Sequence, residues 1–350
     1  MSIIFAILIF SFLIFVHELG HFIAAKRSGV QVNEFSMFMG PAIWKKQIGE
    51  TLYSIRCIPI GGYCAMEGED EDTDNPRSFQ KAVWWKRLII LVAGSAMNFI
   101  AGILIMVIVF LPAQKFIVPT IATMEESSLV GGADGLQVGD TFLEVDGEKI
   151  YVQSDFSTIL SLNPGEVHDI VVERNGEKVT LKDFEMKKTT FGDEKTPRYG
   201  FSFSVVDATF SSKLDYAWRN VLNSGRIVRL SLQMLLTGQA SMSDMTGPVG
   251  IVGQMSDMAE ASETWVDAVL NMLYFGGFIA INLAIMNMLP IPALDGGRVL
   301  ALLVTTAFAK ITKKPVNPKI EGYIHAGGMI LLLIFMALIM FKDIFAIFKG

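Results

Sequence analysis

The sequence predicts an α-helical membrane protein with four transmembrane helices and one β-rich domain inserted between the second and the third. The chain of 350 residues is 51% hydrophobic and only 18% charged, whereas a soluble globular protein carries about a quarter charged residues. Four apolar stretches approach or exceed the roughly 20 residues that a helix needs to cross the hydrocarbon core. A polar, acidic segment with alternating apolar residues separates the second stretch from the third.

The predicted spans differ in the polar residues that they contain. The first carries a His-Glu cluster, the second only Ser95 and Asn98, the third no charge and the fourth only His325; they comprise residues 3–25, 88–111, 268–289 and 322–341. The first stretch lacks a basic n-region and a cleavage site, so we interpret it as a retained helix. A fifth apolar run, 299–309, is too short to span and is expected to be re-entrant or interfacial.

Lysine and arginine predict the orientation of these spans. The segment 26–87 contains nine basic residues, and the segment that follows the third span contains five. Basic loops face the cytoplasm, so both termini and the segment between spans two and three are expected outside. The net charge of −6 argues against nucleic acid as a partner, because a phosphate-binding surface needs a basic excess.

The outer segment, residues 116–207, has short alternating runs such as 141–145 and 169–173, which turn signals such as Asp146-Gly147 separate. Alternation broken by turns indicates a small β-rich domain. Residues 135–140, followed by a strand that ends in Val145-Asp146-Gly147, resemble bacterial PDZ domains; an unrelated β-rich insertion is the alternative.

Two further segments are expected near the membrane. Residues 32–66 alternate around a turn at Gly49-Glu50 and predict apolar β-hairpins, whereas 213–236 predict an amphipathic helix on the outer membrane face or a helix packed on the outer domain. The predicted organisation is therefore a membrane core in two parts, 1–115 and 208–350, around the domain 116–207. The only two cysteines, Cys57 and Cys64, rule out a disulfide framework.

The first span contains the pattern His17-Glu18-Leu19-Gly20-His21. Residues four apart share one helix face, so His17 and His21 can bind one metal ion through their imidazoles. Glu18 lies beside them, where a carboxylate can accept a proton from water. This is the H-E-x-x-H zinc arrangement. Ionisable residues are costly within a span, and three in one turn indicate a function.

A catalytic zinc usually has three protein ligands, so a third is expected elsewhere. Residues 287–297 end the third span, and Asp295 is their only carboxylate. Pro290 and Pro292 interrupt helical hydrogen bonding there. The predicted topology brings Asp295 and the two histidines to the same depth near the cytoplasmic side, and we predict one Zn²⁺ per chain.

These two motifs, H-E-x-x-H in the first span and N-x-x-P-x-P-x-x-D-G at the end of a later one, resemble the site-2 protease family of intramembrane zinc metalloproteases, in its bacterial PDZ-containing branch. The similarity covers nearly the whole chain. It includes residues 58–63, which look like the family's membrane-associated β-hairpin region, and 93–99 in span two, where Ser95 replaces a common proline. Family members of Gram-negative bacteria often carry two PDZ domains, and the outer segment has room for one.

The resemblance implies a zinc-dependent endopeptidase that hydrolyses peptide bonds within transmembrane segments in regulated intramembrane proteolysis. It implies His17, His21 and Asp295 as the zinc ligands and Glu18 as the general base. The expected partners are the lipid bilayer of a bacterial cell membrane and single-span membrane proteins, such as anti-sigma factors or signal-peptide remnants.

A helical substrate must unwind before cleavage and needs replacement hydrogen-bond partners. The resemblance assigns that role to Asn287, and Asn282 is a weaker candidate. Gly61 and Gly62 in the hairpin region are candidates to bind the substrate as an added strand.

Two other classes of protein are alternatives. A non-proteolytic zinc transporter would also use intramembrane His and Asp, but it would not need Glu18 between the ligands and would usually show repeated halves. No internal repeat is visible in the sequence. The second alternative is an adaptor that binds peptides through a PDZ domain and has lost catalysis. A substitution at position 18 would favour this alternative, but the sequence retains Glu18.

Overall fold

The computed structural model describes residues 2–69, 73–126, 128–132, 134–191, 196–239, 246–313 and 318–349. Its helices are α1 (Ser2–Ser28), α2 (Trp84–Phe110), α3 (Gln153–Leu162), α4 (Phe210–Leu236), α5 (Pro248–Glu260), α6 (Trp265–Asn287), α7 (Asp295–Thr312) and α8 (Pro318–Lys349). Its strands are β1 (Val32–Ile48), β2 (Thr51–Met66), β3 (Lys115–Met124), β4 (Thr141–Val145), β5 (Glu148–Lys149), β6 (Val167–Arg174), β7 (Glu177–Glu185) and β8 (Phe201–Asp207).

Within the described ranges, four helices are long and apolar enough to cross a membrane: α1, α2, α6 and α8. They coincide with the four predicted spans to within a few residues, except that α8 is longer. Their apolar side chains are widely exposed, as at Ile4 (67%) and Leu331 (71%), which fits contact with lipid. The fifth apolar run lies in α7, and its re-entrant or interfacial location stays a prediction.

The chain divides into two compact units, residues 1–105 with 227–350 and residues 106–226. The boundaries fall inside α2 and α4. Helix α5, in the first unit, was not predicted, because its sequence mixes glycine and polar residues with apolar ones. It packs against α1 and α6 through Met255, which is fully buried.

In the first unit, β1 and β2 form an antiparallel pair joined by the predicted turn, since Ile48 faces Thr51 across Gly49-Glu50. Both strands bend, at Gly40 (φ 85°) and Gly61 (φ 81°), where the backbone is left-handed. Residues 34–37 therefore pair with 52–55 on one side, and segment 32–37 pairs with 62–66 on the other. Segment 62–66 is consequently an edge of this small sheet.

The second unit contains an antiparallel sheet in the order β7-β6-β4-β3-β8, with β5 paired to β4. Helix α3 closes its core, in which Phe142 and Ile170 are buried. The part of α4 up to Arg226 packs within this unit, and Arg226 pairs with buried Asp155 of α3 at 2.9 Å. This packing favours the second interpretation of the amphipathic segment. A β-rich domain is thus present, and its PDZ character stays a prediction.

Candidate metal centre

Helix α1 places the two histidines of the H-E-x-x-H pattern on one face. The Nε2 atoms of His17 and His21 lie 3.2 Å apart, and the rings meet edge to face. The pattern lies in the second half of the 27-residue helix, where both side chains are largely withdrawn from solvent. The helical spacing therefore produces a two-nitrogen site within the span.

Asp295 reaches this site because α6 ends at Asn287 and α7 begins at Asp295. The connection folds back closely over the first turn of α7. A Cβ atom at Gly296 would lie 2.3 Å from the Leu289 carbonyl oxygen, and one at Gly297 would lie 2.2 Å from that of Ile291. Only glycine fits at these two positions, which explains why two glycines follow the aspartate.

The connection between α6 and α7 also contacts α8. The backbone N–H of Ala293, a residue with φ 84°, donates to Nδ1 of His325 over 3.2 Å. A Cβ atom at Gly328 would lie 2.4 Å from Cβ of Pro292, so α8 approaches the loop without an intervening side chain. The single polar residue noted in the fourth span therefore supports the loop that carries Asp295.

The three side chains form a nearly equilateral triangle of ligand atoms. Oδ2 of Asp295 lies 3.2 Å from Nε2 of His17 and 3.3 Å from Nε2 of His21. A tetrahedral ion with bonds of about 2.0–2.1 Å separates its ligand atoms by about 3.3–3.4 Å. Oδ2 of Asp295 is buried and has no hydrogen-bond partner of good geometry. The residues present fit a zinc ion in both geometry and ligand chemistry.

The carboxylate of Asp295 suits the same role, because a carboxylate oxygen is an ordinary zinc ligand beside two imidazole nitrogens. Among the described residues, these three form the one group of His, Cys, Asp and Glu with ligand atoms close enough to hold a metal.

Helix α2 supplies contacts on the outer sides of both imidazoles. Nδ1 of His21 donates to the carbonyl oxygen of Ile90 over 2.8 Å, which leaves its Nε2 lone pair facing the triangle. The amide of Asn98 lies 3.4 Å from Nδ1 of His17. Gly94 lies between them, where a Cβ atom would be 2.3 Å from Nε2 of His21.

Glu18 lies between the two histidines in sequence and faces the edge of the β1–β2 sheet. Its carboxylate lies near the backbone N–H of Cys64. A Cβ atom at Gly62 would lie 3.5 Å from Cγ of Glu18. The structure thus brings the predicted base, the predicted ligands and Gly62 together, whereas Gly61 marks the strand bend beside Met39.

Asn287 is the last residue of α6 and is half-buried. Its side chain makes no hydrogen bond to the part of the chain that the structure describes, and the same is true of Asn282 one turn earlier. Both amides are therefore available to another molecule, and the role of either stays a prediction.

These features define a class: membrane metallopeptidases that carry a zinc-type ligand set inside a helical bundle. The sequence model of Peptidase family M50, the site-2 protease family, matches residues 5–335. The chain belongs to that family and is a zinc metalloendopeptidase of the bacterial membrane.

Relatives cover the chain from end to end. A Clostridium acetobutylicum protein, described provisionally as a zinc metalloprotease, is 36% identical over 98% of this chain and 97% of its own. The zinc metalloprotease RasP of Bacillus licheniformis is 27% identical over 98% of both chains. The regulator of sigma-W protease RasP of Bacillus subtilis is 26% identical, again over 98% of each.

Sequence reasoning did not identify the contribution of α2. Ser95 and Asn98 were noted only as polar residues of an apolar span, and 93–99 only as part of the family resemblance. The signal that could have found this contribution is the cost of a polar amide within a span, which implies a partner. The carbonyl of Ile90 has no such signal, because every residue carries one.

Proposed function

We propose that this protein cleaves transmembrane segments of single-span membrane proteins, with His17, His21 and Asp295 holding one zinc ion and Glu18 acting as general base. The observation that carries the proposal is the convergence of the three ligand atoms to within 3.3 Å of one another, with Glu18 next to His17. When bound, zinc supplies Lewis acidity, which polarises a carbonyl and makes water a nucleophile near neutral pH.

The chain's own residues account for the proton transfers and for positioning. The Glu18 carboxylate, which lies near the Cys64 backbone, takes the proton from the attacking water and returns it to the leaving amine. The edge segment 62–66 offers backbone groups to an unwound substrate strand. The amide of Asn287, which makes no hydrogen bond to the described residues, offers a second set of partners to the same strand.

The test of this function is cleavage of a single-span substrate by purified enzyme in detergent. Glu18→Gln removes the proton acceptor and keeps the side-chain volume, so cleavage is expected to fall to background while bound zinc is retained. The control is the same variant's melting temperature, which should match that of the wild type. Turnover at the wild-type rate would exclude Glu18 as the base.

We further propose that both termini and the domain 116–207 lie outside the cell, with the metal centre toward the cytoplasmic side. The basic residues of segment 26–87 support this orientation. Membrane-bound anti-sigma factors and signal-peptide remnants are the proposed substrates. The name of the Bacillus subtilis relative, regulator of sigma-W protease, supports the first of these classes.

The outer domain, which we propose to be PDZ-like, acts as a filter that excludes substrates with large ectodomains. The chain permits a clean test, because the backbone N–H of Ala208 donates to the carbonyl of Gln114 over 2.7 Å. Residues 115–207 can therefore be replaced by a short glycine linker. A filter predicts that the deletion allows cleavage of a long-ectodomain substrate while a short one is cut as before. If the domain is a receptor for a newly exposed C-terminus, the short substrate loses cleavage instead.

A further inference from the structure

Asn98 is a polar residue of α2 whose environment the proposed zinc site does not yet explain. The residue is 1% exposed. Its amide nitrogen lies 3.4 Å from Nδ1 of His17, while its amide oxygen is buried and has no hydrogen-bond partner. An unpaired buried amide oxygen is destabilising, so a functional or conformational reason is expected.

The second histidine shows what the outer nitrogen of a metal-binding imidazole requires. His21 donates Nδ1–H to the Ile90 carbonyl over 2.8 Å, so the lone pair of its Nε2 faces the ligand triangle. Metal-binding histidines usually donate their other ring N–H to an oxygen acceptor, which fixes the tautomer. His17 needs an equivalent acceptor at its own Nδ1.

An amide nitrogen at that position has the wrong chemistry for such a role. If Asn98 donates to Nδ1 of His17, the imidazole proton must reside on Nε2. That proton would then point toward Oδ2 of Asp295, 3.2 Å away, and would occupy the lone pair that a metal needs. A half-turn of the Asn98 amide plane places the oxygen beside Nδ1 instead, and it gives the buried oxygen a donor.

We propose that Asn98 is a positioning residue of the metal site, whose amide oxygen accepts a hydrogen bond from Nδ1–H of His17. The amide thereby selects the His17 tautomer with a free Nε2 lone pair, as the Ile90 carbonyl does for His21. This inference rests on the proposed zinc site and adds to it the group that orients one of its ligands.

The first test is zinc affinity, measured by chelator competition on the purified full chain in detergent. Asn98→Ala removes the acceptor and should weaken zinc binding by about 10–100-fold, the usual effect of losing such a partner. Asn98→Asp presents only acceptor oxygens and should bind zinc at least as tightly as the wild type. If Asn98 instead donated a hydrogen bond to His17, Asn98→Asp would weaken zinc binding as much as Asn98→Ala does. Ser95→Ala is the matched control, because Ser95 is buried in the same helix with an unpaired hydroxyl and should leave the affinity unchanged.

The second test needs no variant and therefore does not depend on how the variants fold. The sequence contains only four histidines, so ¹⁵N-histidine labelling of the zinc-loaded wild-type protein can resolve each ring. His17 is expected to carry its proton on Nδ1. A His17 with unprotonated Nδ1, or wild-type zinc affinity in folded Asn98→Ala, would overturn the inference. If His17→Ala loses zinc while Asn98→Ala retains it, the role of Asn98 is rejected and the proposed ligand set stands. If His17→Ala retains zinc, the ligand set itself is rejected.

Discussion

Gly94 of α2 lies directly against Nε2 of His21, a proposed zinc ligand: a Cβ atom on Gly94 would be 2.3 Å from Nε2 of His21 and 2.8 Å from Cε1 of His17. The two spans meet here without any side chain between them. A second close approach, between Gly20 and the carbonyl oxygen of Ala93, would leave only 2.4 Å for a Cβ atom. Small residues thus allow α2 to form one wall of the proposed metal centre.

Gly94→Ala should therefore abolish zinc binding, because the methyl group would occupy the space of the ligand atoms, and overpacking of this kind also costs about 1–3 kcal/mol of stability. Zinc per chain after purification is the measurement. Gly253→Ala in α5 is the control, since nothing lies within 4 Å of its Cβ position. Full zinc occupancy in Gly94→Ala would mean that the metal lies elsewhere.

Asp295→Ala and Asn287→Ala should have separable effects, although both residues belong to one motif. The first removes a predicted ligand, so both zinc occupancy and cleavage should be lost. The second removes an amide that makes no hydrogen bond in the described part of the chain, so zinc should stay bound while cleavage falls. Metal analysis and substrate cleavage on the same preparations distinguish the two. Loss of zinc from Asn287→Ala would assign that residue to the metal site instead.

Gly62→Ala tests the edge strand beside the base. Its Cβ atom would lie 3.1 Å from the Ser36 carbonyl oxygen and 3.5 Å from Cγ of Glu18, so the methyl group narrows the space at the proposed substrate position. We expect slower cleavage with unchanged zinc content and a greater loss for substrates with bulky residues at the cleaved bond. An equal loss for all substrates, together with a lowered melting temperature, would indicate a sheet defect.

Glu50 predicts a pH dependence of stability. It lies in the β1–β2 turn, where hydrogen bonds from Arg77 and Lys26 lower the pKa of its carboxyl to about 2. Because the folded pKa is depressed, the stabilisation is complete above the unfolded pKa of about 4.3 and is lost as pH falls toward about 2. Partly exposed pairs of this kind contribute about 0.2–1 kcal/mol each.

The measurement is the melting-temperature difference between the wild type and Glu50→Gln, at pH 7 and at pH 3. The difference should be largest at pH 7 and shrink at pH 3, because pH 3 lies below the unfolded pKa of Glu50. Other titrating groups affect both proteins equally and cancel in the comparison. A melting-temperature difference that stayed constant between the two pH values would show that the stabilisation by the Glu50 contacts with Arg77 and Lys26 does not depend on the charge of Glu50.

The sequence predicted the four spans, the turn at Gly49-Glu50 and the convergence of His17, His21 and Asp295. The spans and the turn were predicted correctly because each rests on a local property, the length of an apolar run or a two-residue turn signal. The four-residue helical spacing placed the two histidines on one face, whereas zinc binding and the orientation of the spans stay predictions. Helix α5 was missed, since its apolar residues become a recognisable face only when α1 and α6 are placed beside it.

What the sequence determined alone was the set of chemical groups: two imidazoles and a carboxylate in one turn of a span, and a second carboxylate after a proline-interrupted helix end. Only the tertiary structure decided how these groups are oriented. The outer nitrogen of His21 meets a backbone carbonyl from α2, the His17 ring meets Asn98, and Glu18 meets the backbone of an edge strand. Such contacts join residues far apart in sequence and often involve backbone atoms that every residue has, so their spacing leaves no pattern along the chain.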